Sequence, residues 1–181
     1  ATKYKNAYIT AIDLSANSLS YAKRKAEELE IKNIEFIQMD LLDVKTLKKK
    51  FNIIESVGVL HHMQYPHKGW RILCDILTPK GLIMIGLYSK IAREHIKRYR
   101  QKIGEKNISI NNKNLINLRE KIILSNASDE RLIKKSPDFY SLSSYRDLLF
   151  HIKEYTFDIP EIKNFLDKKN LKFCGFENKE L

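Results

Sequence analysis

Three apolar runs of the chain each end in polar residues at a similar spacing, and this pattern constrains the fold most. The run AYITAID ends at Asp13, the run NIEFIQMD ends at Asp40, and the run FNIIESVGVLHH ends at His61 and His62. Helical patterns separate these runs from one another. Strands that alternate with helices pair in parallel, so the sequence predicts an α/β sheet with these polar residues along one edge.

The rest of the chain continues this alternation and then becomes helical. Strands are predicted at residues 8–12, 34–39, 53–59, 82–88 and 172–176. Helices are predicted after the N-cap candidate Ser15, around 45–50, around Trp70, as two or three segments within 90–135, at 144–151, and from Pro160 to about 169. The run LIMIGLY is apolar at nearly every position, which predicts a strand buried on both faces. We therefore expect one domain with a core at 1–88, a helical insertion or lid at 89–155, and a C-terminal helix and strand at 156–181.

The composition limits the classes of protein that this chain can belong to. The 33 lysines and arginines exceed the 22 acids and leave a net charge of +11, which invites a nucleic-acid interpretation. Lysine is spread over the whole chain, however, and this favours solvated lysines on many surfaces. No segment has the ~20 apolar residues of a membrane span, and Cys74 and Cys174 lack a metal-binding or redox spacing. These features predict a cytoplasmic protein with free thiols and no membrane partner.

Two carboxylates follow successive predicted strands, where open parallel sheets bind their ligands. Asp13 can accept hydrogen bonds from the vicinal hydroxyls of a ribose, or it can begin the Asp-Leu-Ser turn and cap the next helix. Asp40 can accept a hydrogen bond from the exocyclic amine of adenine while Met39 and Leu41 pack on the ring. A carboxylate at a strand end is common, however, so Asp40 alone does not indicate a site. The two acids together favour a site for a nucleotide-like cofactor.

The third strand is followed by VGVLHHMQYPHKGW, which contains two glycines and three histidines. Gly58 would let a ligand approach the backbone closely. His61 and His62 could orient a nucleophile, remove a proton, or hydrogen-bond to the backbone, and we expect at least one of them to line the site. His67 completes a trio, but no carboxylate or cysteine adds a ligand spacing, so no metal site is predicted.

These residues resemble a known family when they are taken in order. Asp-Leu-Ser followed by Tyr-Ala-Lys, Gln-Met-Asp-Leu-Leu, Val-Leu-His-His-Met and Leu-Thr-Pro-Lys-Gly-Leu look like the motifs that follow the glycine-rich loop in class I S-adenosylmethionine-dependent methyltransferases. Ile-Gly-Leu-Tyr-Ser and Asp-Leu-Leu-Phe-His are similar to bacterial members of small-molecule type, some of which carry tetratricopeptide repeats. The resemblance covers essentially the whole chain and implies a Rossmann-like sheet with helices on both faces.

The resemblance also implies roles for individual residues. S-adenosylmethionine would be bound through its ribose by Asp13, with Leu14 beside it, and through its adenine by Met39, Asp40 and Leu41. Gly58 and Val59 would lie near its methionine part, and His61 and His62 near the methyl acceptor. Tyr88, Arg93 and the turn from His151 to Glu154 could contact the acceptor, although a structural role is favoured for each. The expected reaction is an SN2 transfer of the sulfonium methyl group, which depends mainly on proximity and alignment.

The family pattern further implies a strand and a glycine-rich loop upstream of residue 1, so the chain is expected to be a fragment truncated at the first strand. Such a strand would lie between those ending at Asp13 and His61. Without it, unpaired backbone groups would cost roughly 1 to 3 kcal/mol each, and we expect the fragment to fold poorly and bind its cofactor weakly.

Two other classes remain open at this point, together with the identity of the partners. A nicotinamide-dependent oxidoreductase would use the acid at Asp13 but offers no role for Asp40 or the histidine pair. A non-catalytic RNA-binding or interaction module could use the basic face of residues 90–106. We expect a small-molecule methyl acceptor, with tetratricopeptide repeats as an allowed fused or separate partner. The sequence lacks a nucleic-acid methylase signature after the third strand, which argues against nucleic acid as the acceptor.

Overall fold

The first elements of the chain form a parallel strand pair joined by a helix. Strand β1 (Ile9–Asp13) and strand β2 (Ile34–Gln38) pair in register from Ile9 opposite Ile34 to Asp13 opposite Gln38. Helix α1 (Ala16–Glu28) connects them, and the predicted N-cap Ser15 is confirmed because its side chain accepts a hydrogen bond from the Ser18 amide. The crossover places Asp13 and Asp40 at the same end of the pair.

A second strand pair follows in the chain. A short 3-10 helix (Leu41–Leu47) leads to strand β3 (Phe51–Val57), and helix α2 (Pro66–Asp75) leads to strand β4 (Leu77–Gly86). The Phe51 amide donates to the Ile76 carbonyl, and Val57 lies beside Gly86, so contacts advance in the same direction along β3 and β4. These strands are therefore parallel. The computed structural model describes residues 1–104, 111–150 and 154–177, and in these ranges β1–β2 and β3–β4 are separate two-stranded sheets.

Strand β4 differs from the prediction in its start and in its burial. It begins at Leu77 instead of residue 82, and it includes the Thr-Pro-Lys-Gly segment, in which Lys80 has a φ of 63°. The prediction that this strand is buried on both faces is wrong, because Leu82 is 58% exposed and none of the strand's residues is fully buried. In the described part of the chain β4 has only β3 as a neighbour, so much of its surface stays open to solvent.

The second half of the chain is helical and has its own apolar core. Its helices are α3 (Glu94–Gly104), α4 (Asn112–Leu124), α5 (Ser128–Lys134), α6 (Leu142–Phe150) and α7 (Ile159–Lys168). Buried residues of α3 to α6, with Phe139, form one cluster: Ile96, Tyr99, Ile103, Leu115, Leu118, Ile122, Ile133, Phe139, Tyr145, Leu148 and Leu149. These residues recur three or four positions apart on α3 and α4, which is why each helix buries one face.

The last helix begins where the sequence predicts it, but the strand expected after it is not formed. Asp158 caps α7 by accepting a hydrogen bond from the Glu161 amide, and Pro160 lies in its first turn. Residues 172–176 have no regular secondary structure, so the predicted strand there is wrong. A strand needs a neighbour to satisfy its backbone groups, and this segment has no paired strand in the part of the chain that is described.

The residue contacts divide the chain into two compact units. The first unit contains Ala1–Ser56 and Tyr65–Met84, and the second contains Val57–Gln64 and Ile85–Leu181. Both cysteines are free thiols, with Cys74 half-buried and Cys174 exposed. None of the helices in the described ranges combines the length and the apolar character that crossing a membrane requires.

Candidate functional site

In the first unit, two carboxylates lie at the carboxyl ends of paired strands. Asp13 is the last residue of β1, and Asp40 comes two residues after the end of β2. The pairing continues past the strand ends, because the Met39 amide donates to the Asp13 carbonyl over 3.1 Å. The parallel register therefore brings the two predicted acids to the same edge, as the sequence pattern requires.

Each of these carboxylates uses one oxygen locally. Asp13 Oδ1 accepts a hydrogen bond from the Ser15 amide at 2.8 Å, and Asp40 Oδ1 accepts one from the Leu42 amide at 2.8 Å. The turn and capping role considered for Asp13 is thus real, and Asp40 has the same role for the 3-10 helix. No described group hydrogen-bonds to the second oxygen of either side chain. Both acids can therefore cap the backbone and still accept hydrogen bonds from a ligand.

The surroundings of these acids suit an adenosine group. Leu14 is 66% exposed, and Met39 and Leu41 are half-buried, so apolar surface lies beside both carboxylates. A ribose offers two hydroxyl donors, and adenine offers an amine donor and two apolar ring faces. Acceptors next to apolar side chains match that set of donors, so the residues fit the adenosine part of S-adenosylmethionine.

The second unit holds the histidine pair, which follows β3. Gly58 has a φ of 79°, a left-handed value that favours glycine, and no atom lies within 4 Å of the position that a Cβ would take there. Val59 is 42% exposed and precedes a 3-10 turn, Leu60–His62. His61 is only 2% exposed, whereas His62 is half-buried. The structure therefore distinguishes two histidines that look equivalent in the sequence.

His61 is a neutral imidazole at physiological pH. Burial lowers its pKa from 6.5 to about 4, with help from the charge of His62, while the Gly86 backbone and Glu154 act in the opposite direction. Neither ring nitrogen of His61 makes a well-formed hydrogen bond within the described residues. The Gly86 backbone acts on the ring without a well-formed hydrogen bond, so the buried imidazole keeps hydrogen-bonding capacity that a ligand or water can satisfy.

Tyr88, just after β4, lies against this imidazole. The rings of His61 and Tyr88 stack with centroids 3.7 Å apart and planes 20° apart. The Arg93 guanidinium lies 4.0 Å from the centroid of the Tyr88 ring. Two groups this close cannot share one ring face, so the tyrosine is held between the histidine and the arginine. Burial is the main cause that raises the pKa of Tyr88, which therefore stays a protonated hydroxyl.

Arg93 is in turn held by a buried carboxylate. Its Nε and Nη2 atoms donate to Oε1 and Oε2 of Glu154 at 2.9 and 2.7 Å, and Arg100 Nη2 lies 2.8 Å from Oε2 of the same side chain. The side chain of Arg93 is 14% exposed, that of Arg100 is 19% exposed and that of Glu154 is 7% exposed, so solvent screens their charges little. The pKa of Glu154 is lowered: its burial alone would raise it, but the two arginines outweigh that effect.

The segment that carries Glu154 also binds the backbone of the other residues in this cluster. The Tyr155 amide donates to the His61 carbonyl at 2.7 Å, and the Phe157 amide donates to the Tyr88 carbonyl at 2.8 Å. A parallel bridge pairs Ser89 with Phe157. One short segment therefore fixes the loops that follow β3 and β4.

The predicted site residues thus fall into two groups. The first unit brings together Asp13, Leu14, Met39, Asp40 and Leu41, and the second brings together His61, His62, Tyr88 and Arg93, with Gly58 and Val59 just before the histidines. His151 lies outside the described residues. Sequence reasoning missed the pairing of Glu154 with Arg93 and Arg100. The prediction that Arg93 and Arg100 belong to an exposed basic face is wrong, because both arginines bind this carboxylate. Arg93 and Glu154 lie 61 residues apart in the chain, and a pair at that separation leaves no periodic signal in the sequence.

Comparison with known proteins assigns the family. Residues 1–139 match a family described as a methyltransferase domain, and the chain therefore belongs to it. An uncharacterized protein from Synechococcus sp. is 28% identical over 185 residues, which cover 97% of this chain and 44% of that protein. The structure of PKMT2 from Rickettsia typhi in complex with AdoHcy has a TM-score of 0.72 at 20% identity and covers 95% of this chain and 35% of that chain. A second PKMT2 structure gives the same TM-score over 92% and 34%.

These similarities confirm the main predictions from the sequence. The chain belongs to a family of methyltransferase domains, in agreement with the resemblance to class I methyltransferases, and its α/β fold is Rossmann-like. Membership of a methyltransferase family supports S-adenosylmethionine as the cofactor. The oxidoreductase and the non-catalytic binding module are not favoured. The chain spans less than half the length of the curated relative that it matches.

Proposed function

We propose that the protein containing this chain transfers the methyl group of S-adenosylmethionine to a small-molecule acceptor. The observation that supports this most is the pair of carboxylates, Asp13 and Asp40, at the ends of two hydrogen-bonded parallel strands. In this proposal Asp13 accepts hydrogen bonds from the ribose hydroxyls, and Asp40 accepts one from the adenine amine. Leu14, Met39 and Leu41 cover the adenine, and Gly58 and Val59 lie along the methionine part.

The histidines have different roles in this proposal. The bound cofactor supplies a methyl group on a positively charged sulfur. Because His61 is neutral, it adds no positive charge that would repel this sulfur, and its acceptor nitrogen can orient an acceptor hydroxyl or amine. The rings of His62 and Tyr88 meet edge to face with centroids 5.8 Å apart, so His62 would shape the same acceptor region. Tyr88, Arg93 and His151 remain proposed acceptor contacts.

Catalysis in this scheme comes mainly from alignment. A methyl transfer needs the nucleophile in line with the carbon–sulfur bond, and effective concentration alone contributes a large part of such a rate. His61, stacked on Tyr88 and tied through its carbonyl to Tyr155, is held in one orientation. The cytoplasm is the proposed location, and tetratricopeptide repeats remain a proposed partner.

The test is calorimetric titration of the full-length protein with S-adenosylhomocysteine. Asp13→Asn keeps an oxygen for the Ser15 amide but removes the charge, so we expect affinity to fall by about tenfold or more, as it does on losing charge-assisted hydrogen bonds. Asp40→Asn should act similarly. Asp43→Asn is the control, because Asp43 is an exposed acid of the same 3-10 helix. Equal affinities for all three variants and the unmodified protein would contradict the proposed cofactor site.

A further inference from the structure

We propose that the methyl acceptor carries a carboxylate, and that Arg93 and Tyr88 bind it beside His61. We call these three residues, with Arg100 and Glu154, the arginine cluster. This inference rests on the proposed function and adds the chemical class of the acceptor.

The first argument is the hydrogen-bonding capacity that Arg93 has left. Glu154 occupies its Nε and Nη2 atoms, and Nη1 makes no hydrogen bond or ion pair within the described residues. The bidentate contact holds the guanidinium plane in place, and the stacking on Tyr88 holds one of its faces. An arginine fixed in this way presents its remaining N–H groups in a set direction, which suits a planar carboxylate.

The second argument is the charge of the arginine cluster. Two arginines share one carboxylate, and His61 is neutral, so these groups carry a net charge of +1. Arg100 is further committed to the Leu148 carbonyl at 2.7 Å and cannot turn to other partners easily. Asp138 also acts on Tyr88, but it is exposed and its charge is screened by water. A partly buried positive charge without a balancing anion favours an anionic ligand.

The third argument is that Arg93 and Tyr88 both have donors without partners in the described residues. The Tyr88 hydroxyl makes no hydrogen bond with described residues, and its raised pKa keeps the proton on it. The neutral His61 ring carries one N–H, on which the Gly86 backbone acts, and one acceptor nitrogen, so it lines the site without adding a spare donor. Arg93 Nη1 and the Tyr88 hydroxyl are thus two neighbouring donors to spare, whereas the one carboxylate of the cluster already accepts from both arginines. A carboxylate matches these donors better than a neutral or cationic group does.

The experiment measures saturation-transfer NMR of the full-length protein with benzoate and, as a neutral isostere, benzamide. We expect benzoate to bind at least about tenfold more tightly, which is the size of effect expected for charge-assisted hydrogen bonds. Arg93→Gln should abolish this preference. Tyr88→Phe keeps the ring stack and removes only the hydroxyl, and it should weaken benzoate binding severalfold even if Arg93→Gln disturbs folding.

The matched control is Lys97→Gln, which removes one positive charge from the exposed side of α3. It should leave benzoate binding unchanged. Equal binding of benzoate and benzamide, no binding of either, or equal losses in Lys97→Gln and Arg93→Gln would overturn the inference. Calorimetry with S-adenosylhomocysteine on the same samples separates the two proposals. Normal cofactor binding without a benzoate preference contradicts only the acceptor class, and a failure to bind S-adenosylhomocysteine contradicts the proposed function.

Discussion

His61 shows how neighbours decide the properties of a side chain. Its sequence context, two adjacent histidines after an apolar run, allows either of them to be charged. Burial beneath the Tyr88 ring makes His61 neutral, since a charge there would lose its hydration. At low pH this lowers the stability of the fold, because the unfolded chain binds a proton at His61 more readily than the folded chain does.

This difference in proton binding predicts a pH dependence of stability. In the unfolded chain His61 has a pKa near 6.5, and in the folded chain about 4, so the unfolded state binds the proton first. Stability is therefore complete above the unfolded value and falls as the pH decreases from 6.5 towards 4, by up to ~1.4 kcal/mol per pH unit. Urea unfolding at a series of pH values measures this, and His61→Gln should flatten the fall.

Other groups can be separated from this effect. Burial also lowers the pKa of His95, so His95→Gln should remove a different part of the same fall. The pKa of Glu154 is lowered from 4.5, and the stability it contributes is lost only below that value. An unchanged pH profile in His61→Gln would contradict a buried neutral imidazole.

The segment that begins at Glu154 acts as one structural element, although it is not a helix or a long strand. Its carboxylate neutralises Arg93 and Arg100, and its backbone binds the carbonyls of His61 and Tyr88. These contacts join the loops after β3 and β4 to the start of α3. Ion pairs at this depth contribute little net energy when complete, but the loss of one member leaves the others unpaired.

We therefore expect Glu154→Gln to lower the free energy of unfolding by ~3 kcal/mol, because two buried guanidinium groups would lose their counter-ion. The control is Glu94→Gln, which removes a 62% exposed carboxylate paired with Arg98 on the same helix face. That change should cost under about 0.5 kcal/mol. Denaturant unfolding of both variants provides the comparison. Similar losses in the two variants would mean that Glu154 is an ordinary surface acid.

At the scale of the whole molecule, apolar burial is concentrated in the helical part of the chain. The cluster of α3 to α6 contains side chains with no exposure, such as Ile122 and Ile133. In contrast, β3 contains Ile53 at 71% exposure, and β4 contains Leu82 at 58%. Each of these strands has a single hydrogen-bonded neighbour within the described residues. Local stability should follow these differences.

Hydrogen exchange with mass spectrometry should detect this difference in the 181-residue chain. Amides of α4, whose Leu115 and Ile122 are buried, should exchange slowest, because opening that helix exposes the helical core. Amides of β3 should exchange markedly faster, because a two-stranded sheet opens locally with little loss of apolar contact. Slower exchange in β3 than in α4 would contradict this distribution of stability.

Local chemistry in the sequence was enough to predict the parallel strand pair, the acids at its end, the Ser15 cap and the helix that Pro160 opens. Each depends on residues close together in the chain, where period, turn and capping rules apply. Contacts between distant segments were not predictable in the same way. Three features depend on which surfaces meet after folding: the ion pair of Glu154 with Arg93, the position of Tyr88 between His61 and Arg93, and the exposure of Leu82. The sequence pattern marks which side chains are polar or apolar, but burial and partners arise only when distant segments pack together, and these set the charge of His61 and the free donors of the arginine cluster.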